Sequence, residues 1–308
     1  MTARRRRRFP VHVVAFLAPA VLIYSLFMIF PLVDSLRLSM FAPAAGGGES
    51  FVGFDNYRRL FTHPNWAPLL RNAVENNFVF FLVHMAVQNP IALLLAALLS
   101  SAAIRGRVVY RTLIFLPTVL SVVLIGFIWR LILSPIWGIS KDILGVFGLS
   151  HLNRPWLGLE ETALVTLSLV SVWQWVGIPM LLFLAALITI PDELVEAARI
   201  DGAGPWAVFW RVRFPLILPT VGIVAVLTFV NNFNAFDLIY TTQKALAGPN
   251  FSTDILGTFF FRTFFGAQLQ SGNPTMGATI AGVMFLIILA GVLIYMFAYQ
   301  RRLQRIEF

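Results

Sequence analysis

The sequence predicts an all-α polytopic membrane protein, a bundle of six transmembrane helices in one domain. Three observations carry this. Apolar residues make up 58% of the 308 residues and charged residues only 12%, with a mean hydropathy of +0.81. About half of a soluble globule's surface is polar, so this composition suits a bilayer better than water. Six apolar runs are each long enough to cross about 30 Å of hydrocarbon, which takes roughly 20 helical residues. Most basic residues fall on alternate connections between those runs.

The first run, 11–33, follows Arg4 to Arg8 in a basic tail over 1–10. The basic start, the apolar stretch and the small residues Ala18 and Ala20 are also features of a secretory signal. The run continues to Val33, past the roughly 7–15 apolar residues of such a signal, so an uncleaved first span is expected. The other runs lie near 75–99, 108–133, 162–188, 216–240 and 275–299, before a short tail over 300–308.

Arginine placement sets the expected orientation. One side would hold Arg4 to Arg8, then Arg105, Arg107 and Arg111, then Arg199, Arg211 and Arg213, then Arg301, Arg302 and Arg305. The longer opposite loops hold fewer. Both termini are therefore expected in the cytoplasm of a cell (inner) membrane protein.

Several chemistries are excluded by the residues. There are no cysteines, which rules out disulfides and thiolate metal sites, and the four histidines are scattered without metal spacing. Neither Lys141 nor Lys244 follows glycine, so the chain has no GxxxxGK[ST] phosphate-binding loop. Gly148-Leu149-Ser150-His151-Leu152 begins like a nucleophile elbow but lacks its final glycine. No catalytic residue, metal or cofactor is expected. Arg4 to Arg8 read as an orientation signal rather than a nucleic-acid contact.

The charged stretch at 190–215, between the fourth and fifth runs, is predicted to be a cytoplasmic hairpin. Pro191 suits the first turn of a helix, Asp192 and Glu193 complement the positive end of its dipole, and Gly202 suits a left-handed stop. Gly204 and Pro205 would restart a short helix carrying Trp206, Phe209 and Val212, and Pro215 and Pro219 would return the chain to the membrane. Ala197, Ala198 and Ala203 would allow close approach by a partner, Glu196 and Asp201 would offer charge, and Phe209 an anchor. The alternative is an amphipathic hairpin resting at the headgroups.

Polar residues at membrane depth mark a candidate pathway. Asn231, Asn234, Asp237 and Thr241 share an arc of about 120° on an ideal helix, with Asn232 pointing elsewhere. Trp173, Gln174 and Trp175 precede Gly177 and Pro179, which would break or kink the fourth span. His84 and Gln88 share a face of the second. The alternative reading is interhelical hydrogen bonding without a ligand.

These residues also carry a family resemblance. Glu196-Ala197-Ala198, Asp201-Gly202-Ala203, Phe209, Val212 and Phe214-Pro215 resemble the EAA loop in permease subunits of binding-protein-dependent ABC importers. The ending Val212-Arg213-Phe214-Pro215 departs mildly from the family's Ile-x-Leu-Pro. Phe51-Val52-Gly53-Phe54-Asp55-Asn56-Tyr57, Val172-Trp173-Gln174-Trp175, Phe236-Asp237-Leu238-Ile239-Tyr240 and Ser252-Thr253-Asp254-Ile255-Leu256-Gly257 resemble its carbohydrate-uptake branch. Gln243 to Pro249 departs from the family's usual Gly-Gly-Pro turn.

The resemblance implies an importer-type permease bundle in a lipid bilayer that forms half of a sugar pathway and works by alternating access. Its implied partners are a second, different permease, two copies of a cytoplasmic ATPase that bind ATP and Mg, and an extracytoplasmic solute-binding protein. Glu196 would pair with a basic residue of the ATPase, and Gly202 would form the turn. Two rivals fit less: a gradient-driven transporter would leave the hairpin unexplained, and a membrane-embedded enzyme or sensor would need a catalytic group or soluble domain.

Overall fold

The computed structural model describes residues 11–44, 48–101, 104–267 and 270–300. The basic tail 1–10 and residues 301–308, with Arg301, Arg302 and Arg305, lie outside these. Val11–Tyr24, a π-helical turn at Ser25–Ile29 and Phe30–Leu38 run on as one rod, α1. A small antiparallel ribbon follows, β1 (Phe41–Pro43) with β2 (Glu49–Phe51), and then α2 (Asp55–Thr62). Ala67–Val83, His84–Gln88 and Asn89–Ser100 form the long rod α3.

Next come α4 (Arg107–Val119), α5 (Val122–Ile132), α6 (Ser140–Val146), α7 (Glu160–Trp175), α8 (Gly177–Ile188) and α9 (Asp192–Ile200). Pro205–Val208, Phe209–Arg213 and Phe214–Phe233 run on as α10. The chain ends with α11 (Asp237–Gln243), α12 (Leu256–Phe265), the ribbon β3 (Gly266–Ala267) with β4 (Gln270–Ser271), and α13 (Pro274–Ile294), which continues as a π-helical stretch.

Four of the described helices are long and apolar enough to cross a membrane, or six if each bent pair counts as one span. The third run is not one rod: α4 and α5 meet at 97°. The fourth bends by 46° between α7 and α8, at Val176, beside the glycine and proline that signalled a break. The expected separate short helix after Gly204 is instead the first turn of α10, continuous with the fifth span. Within that span the helix breaks: α10 ends at Phe233, and α11 begins anew at Asp237.

Prolines explain where the rods widen. A proline ring clashes with the carbonyl four residues back, and its nitrogen donates nothing. Pro31, Pro90 and Pro215 each follow a π-helical turn, in which the preceding residue bonds five residues back: Phe30 to Ser25, Asn89 to His84 and Phe214 to Phe209. One wider turn moves the opposing carbonyl aside, so each rod passes its proline unbroken.

Three apolar clusters hold the bundle. Ala92, Ala96 and Leu99 of α3 meet Met180, Phe183 and Leu187 of α8 and Ile217 of α10. Leu60, Ala73, Phe233, Phe259 and Ile280 join α2, α3, α10, α12 and α13. Phe80, Ile125, Leu167 and Ile239 form the third. By contrast, none of the best 18-residue window of α1 is buried within the chain.

The connection from α11 to α12 is tied down by an ion pair with almost no exposure. Arg262 Nη2 lies 2.6 Å from Asp254 Oδ2, and Arg262 Nη1 donates to Asp254 Oδ1 at 3.1 Å and to the Ala245 carbonyl at 2.9 Å. The guanidinium also lies over the Phe251 ring. Burial pushes the Asp254 carboxyl above its ordinary value, against the pull of Arg262 and Thr258. Removing Arg262 would strand that carboxylate. Arg262→Met should therefore lower stability by on the order of 3–5 kcal/mol in detergent unfolding. Arg71→Ala, which breaks the exposed Arg71–Glu75 pair, should leave the unfolding curve unmoved.

Candidate functional site

Two regions bring the candidate residues together. At one end of the bundle, α9 stops in a left-handed turn. Gly202 has φ +85°, the Gly202 amide donates to the Arg199 carbonyl, and the Ala203 amide reaches back to Ala198 at 2.9 Å. This six-to-one bond around a left-handed glycine is the Schellman stop, which closes the carbonyls left open at a helix end. Gly204 then caps α10, with Pro205 in its first turn.

Glu196, Ala197, Asp201 and Gly202 are exposed on this hairpin, and Ala198 and Ala203 are partly so. Among the described residues neither Glu196 nor Asp201 has an ion pair. A cavity of about 620 Å³ separates the hairpin from the bundle, lined by Arg107, Asp192, Glu196, Arg199 and Arg213 among others. Phe209 is not presented outward. It packs into the cluster formed by α3, α8 and α10 and meets Trp210 edge-on at 5.2 Å, so it fixes the hairpin to its own bundle. Trp206 and Trp210 are the exposed aromatics here, Trp206 the more so. Pro215 is an exposed part of the α10 rod.

The second region is a cavity of about 390 Å³ walled by α3, α7, α8, α10 and α11. Gln88, Trp175, Asn231, Asn234 and Asp237 line it, as expected from the sequence, and so does His84. Asn232 lines it too, because α10 is continuous through Phe233 and carries Val224, Thr228 and Asn232 on one face, and Ser171 joins the wall from α7. Thr241 faces α5 instead, because the break at residues 234–236 resets the helical phase: a Cβ built on Gly126 would lie 3.0 Å from its methyl.

Trp173 and Gln174 are not on this wall. Trp173 is 44% exposed and meets Trp129 edge-on at 5.5 Å. Gln174 is fully buried and turned toward the bend between α4 and α5.

Two buried side-chain oxygens of the cavity wall have no donor. His84 Nδ1 donates to the Phe80 carbonyl at 2.8 Å, and its Nε2 lies 3.0 Å from Ser171 Oγ. Asn232 Nδ2 donates to the Thr228 carbonyl at 2.7 Å, which leaves Asn232 Oδ1 buried and unpartnered. Gln88 Oε1 is likewise buried and unpartnered, and both residues are 5% exposed. Two carbonyl oxygens without donors suit a ligand that brings hydroxyl or amide hydrogens.

The hairpin geometry gives a direct test. Nothing lies within 4 Å of a Cβ built on Gly202, so only its backbone conformation resists a side chain. Gly202→Val should cost about 1–2 kcal/mol locally and speed amide exchange across 192–208, with the spans unaffected. Gly202→Asn, which tolerates the left-handed region, should stay near the native rate.

The chain matches the family model described as "Binding-protein-dependent transport system inner membrane component" over residues 88–306. It is 28% identical over 297 residues to the lactose transport system permease protein LacF of Rhizobium radiobacter, covering 96% of this chain and 97% of that one. It is 30% identical over 280 residues to the arabinooligosaccharides transport system permease protein AraP of Bacillus subtilis (strain 168), covering 91% and 85%. Its fold is shared by a chain of a bacterial ABC transporter that imports the acidic polysaccharide alginate, with a TM-score of 0.76, 23% identity and 97% and 96% coverage. The hairpin, the bundle and these matches together make the chain a member of the inner membrane component family of binding-protein-dependent transport systems, a membrane-spanning permease rather than an enzyme.

Proposed function

We propose that this permease serves an ATP-driven carbohydrate importer, moving a hydroxyl-rich ligand by alternating access while a separate ATPase supplies the energy. One observation carries the reading. The rod α10 begins at the hairpin, at Pro205, and ends in the cavity wall, at Asn231 and Asn232. At 1.5 Å per residue it spans about 40 Å, so a displacement of the hairpin reaches the cavity through one uninterrupted helix.

The partners in this reading are two copies of a cytoplasmic ATPase that bind ATP and Mg, a second and different permease, and an extracytoplasmic solute-binding protein. Both termini would lie in the cytoplasm. Glu196, with no ion pair among the described residues, would meet a basic residue of the ATPase, with Ala197, Ala198 and Ala203 allowing close approach. Gln88, Asn231, Asn232, Asn234 and Asp237 would exchange water for ligand hydroxyls, and Trp175 offers a ring face. Support for a carbohydrate comes from the two unpartnered oxygens of Gln88 and Asn232 in the cavity and from the lactose and arabinooligosaccharide systems in which the relatives serve.

Two measurements test this. Affinity purification in mild detergent should recover an ATPase and a second permease with the native chain. Glu196→Ala combined with Gly202→Pro should lose the ATPase and keep the permease, since removing one member of a buried charge pair costs roughly 2–5 kcal/mol. In proteoliposomes, Gln88→Leu should raise the sugar concentration for half-maximal uptake about tenfold with the ATPase still bound, the worth of one lost hydrogen bond. Recovery of the chain alone, with uptake independent of ATP, would overturn the reading.

A further inference from the structure

Two of the bent spans meet at one buried amide. The 97° bend between α4 and α5 leaves the Leu120 carbonyl without a helical partner: Leu120 has an extended backbone, ψ 144°, and the bond into α5 runs from the Ile125 amide to Ser121. Gln174 Nε2 donates to that carbonyl at 3.3 Å. The amide nitrogen must be the contacting atom, because the group it faces is itself an acceptor.

Gln174 lies just before the second bend, and Gly177 just after it. Gly177 presses on α4: a Cβ built there would fall 2.9 Å from Phe115 Cα and 3.0 Å from the Ile114 carbonyl oxygen. The end of the first broken span is thus held from both sides of the bend in the second. Gln174 is fully buried, and its Oε1 has no partner.

We propose that Gln174 is a positioning residue that pins these two bends together, so that they change angle as one unit during the transport cycle. Resting on the permease reading above, this adds a device that the hairpin and the cavity do not require. A movement of α4 against α7 must either carry Gln174 along or strand the Leu120 carbonyl at membrane depth, where water is not available to replace the lost donor. The unpartnered Oε1 leaves the amide one acceptor with which to bind a donor in a rearranged state.

The chain has no cysteine, so labels can be introduced without removing any. Spin labels at Leu113 and Phe127 flank the first bend, and labels at Leu169 and Ala185 flank the second. All four positions are exposed, and none lines either cavity. Distances are read by pulsed electron resonance in the purified complex, before and after addition of magnesium ATP.

In the native background both distances should shift together. In Gln174→Leu the shift across the second bend should be lost while that across the first persists, and less transport should result per ATP hydrolysed. Paired shifts in Gln174→Leu equal to native would overturn the proposal and leave the permease reading intact. No ATP response at either bend in the native complex would overturn the proposal, while ATP-driven uptake by the same complex, measured alongside, decides the permease reading separately. If Gln174→Leu fails to accumulate, Gly177→Ala, which wedges the same contact apart, is judged by the same criterion.

Discussion

Inside a bilayer, every backbone donor and acceptor released by a helix break must find a partner within the protein. Much of the bundle's arrangement follows from that constraint. Spans that bend by 97° and 46° and a fifth whose helix breaks after Phe233 leave open carbonyls and amides. Side-chain amides close several of them. Asn77 donates to the Asn232 carbonyl at 2.9 Å and accepts from the Leu256 amide at 2.8 Å, so one residue of α3 closes the end of α10 and the start of α12. Nearby, Asn76 donates to the Asp254 carbonyl and Asn72 to that of Phe251. Gln174 does the same for Leu120.

The same rule explains why the cavity forms where it does. A continuous helix satisfies its own backbone and leaves only side chains to a neighbour. Where α10 ends, Asn232 spends its amide hydrogens on the Thr228 carbonyl and keeps a bare oxygen. Gln88 sits in the wide turn forced by Pro90 and also keeps one. Breaks and wide turns therefore produce both the hollow and its acceptor character. The residues that stabilise the break and those that would greet a ligand are in part the same, so structural bonding and ligand binding are not exclusive alternatives here.

Much of this was legible in the sequence where the signal is local. Apolar run length marked the long apolar helices, and the Gly202 turn takes the left-handed conformation its sequence calls for because its geometry depends on a few residues. Gln88, Trp175, Asn231, Asn234 and Asp237 reached the cavity as expected. The failures have separate local causes. Thr241 left the cavity arc because the helix breaks before it, whereas Asn232 sits on the face of α10 that carries Thr228. Trp173 and Gln174, read as neighbours of one pathway, point to a tryptophan edge and to a backbone carbonyl because α7 turns each residue by about 100°. Phe209 was read as a free anchor, but a large ring beside a crowded apolar cluster gains more by packing inward. The 97° bend left only Pro117 and Ser121 as clues, and neither fixes an angle.

Charge placement separates what the chain completes alone from what it leaves open. Asp254 and Arg262 bury their charges against each other and need nothing further. On the hairpin, Glu196 and Asp201 have no ion pair among the described residues, beside a cavity lined by Arg107, Arg199 and Arg213. The hairpin carries a Schellman stop, a Phe209 packed against the bundle and a rod running unbroken into the apolar span. Each of these stiffens the hairpin relative to the bundle. Stiffness of that kind matters when force crosses the element, because a soft turn would absorb a displacement that a capped helix joined to α10 transmits. At the other extreme, α1 leaves its apolar surface uncovered by the rest of the chain. The permease thus carries finished internal contacts near α12, an unfinished polar surface at the hairpin and an unfinished apolar one along α1, the pattern expected of one subunit in a membrane assembly.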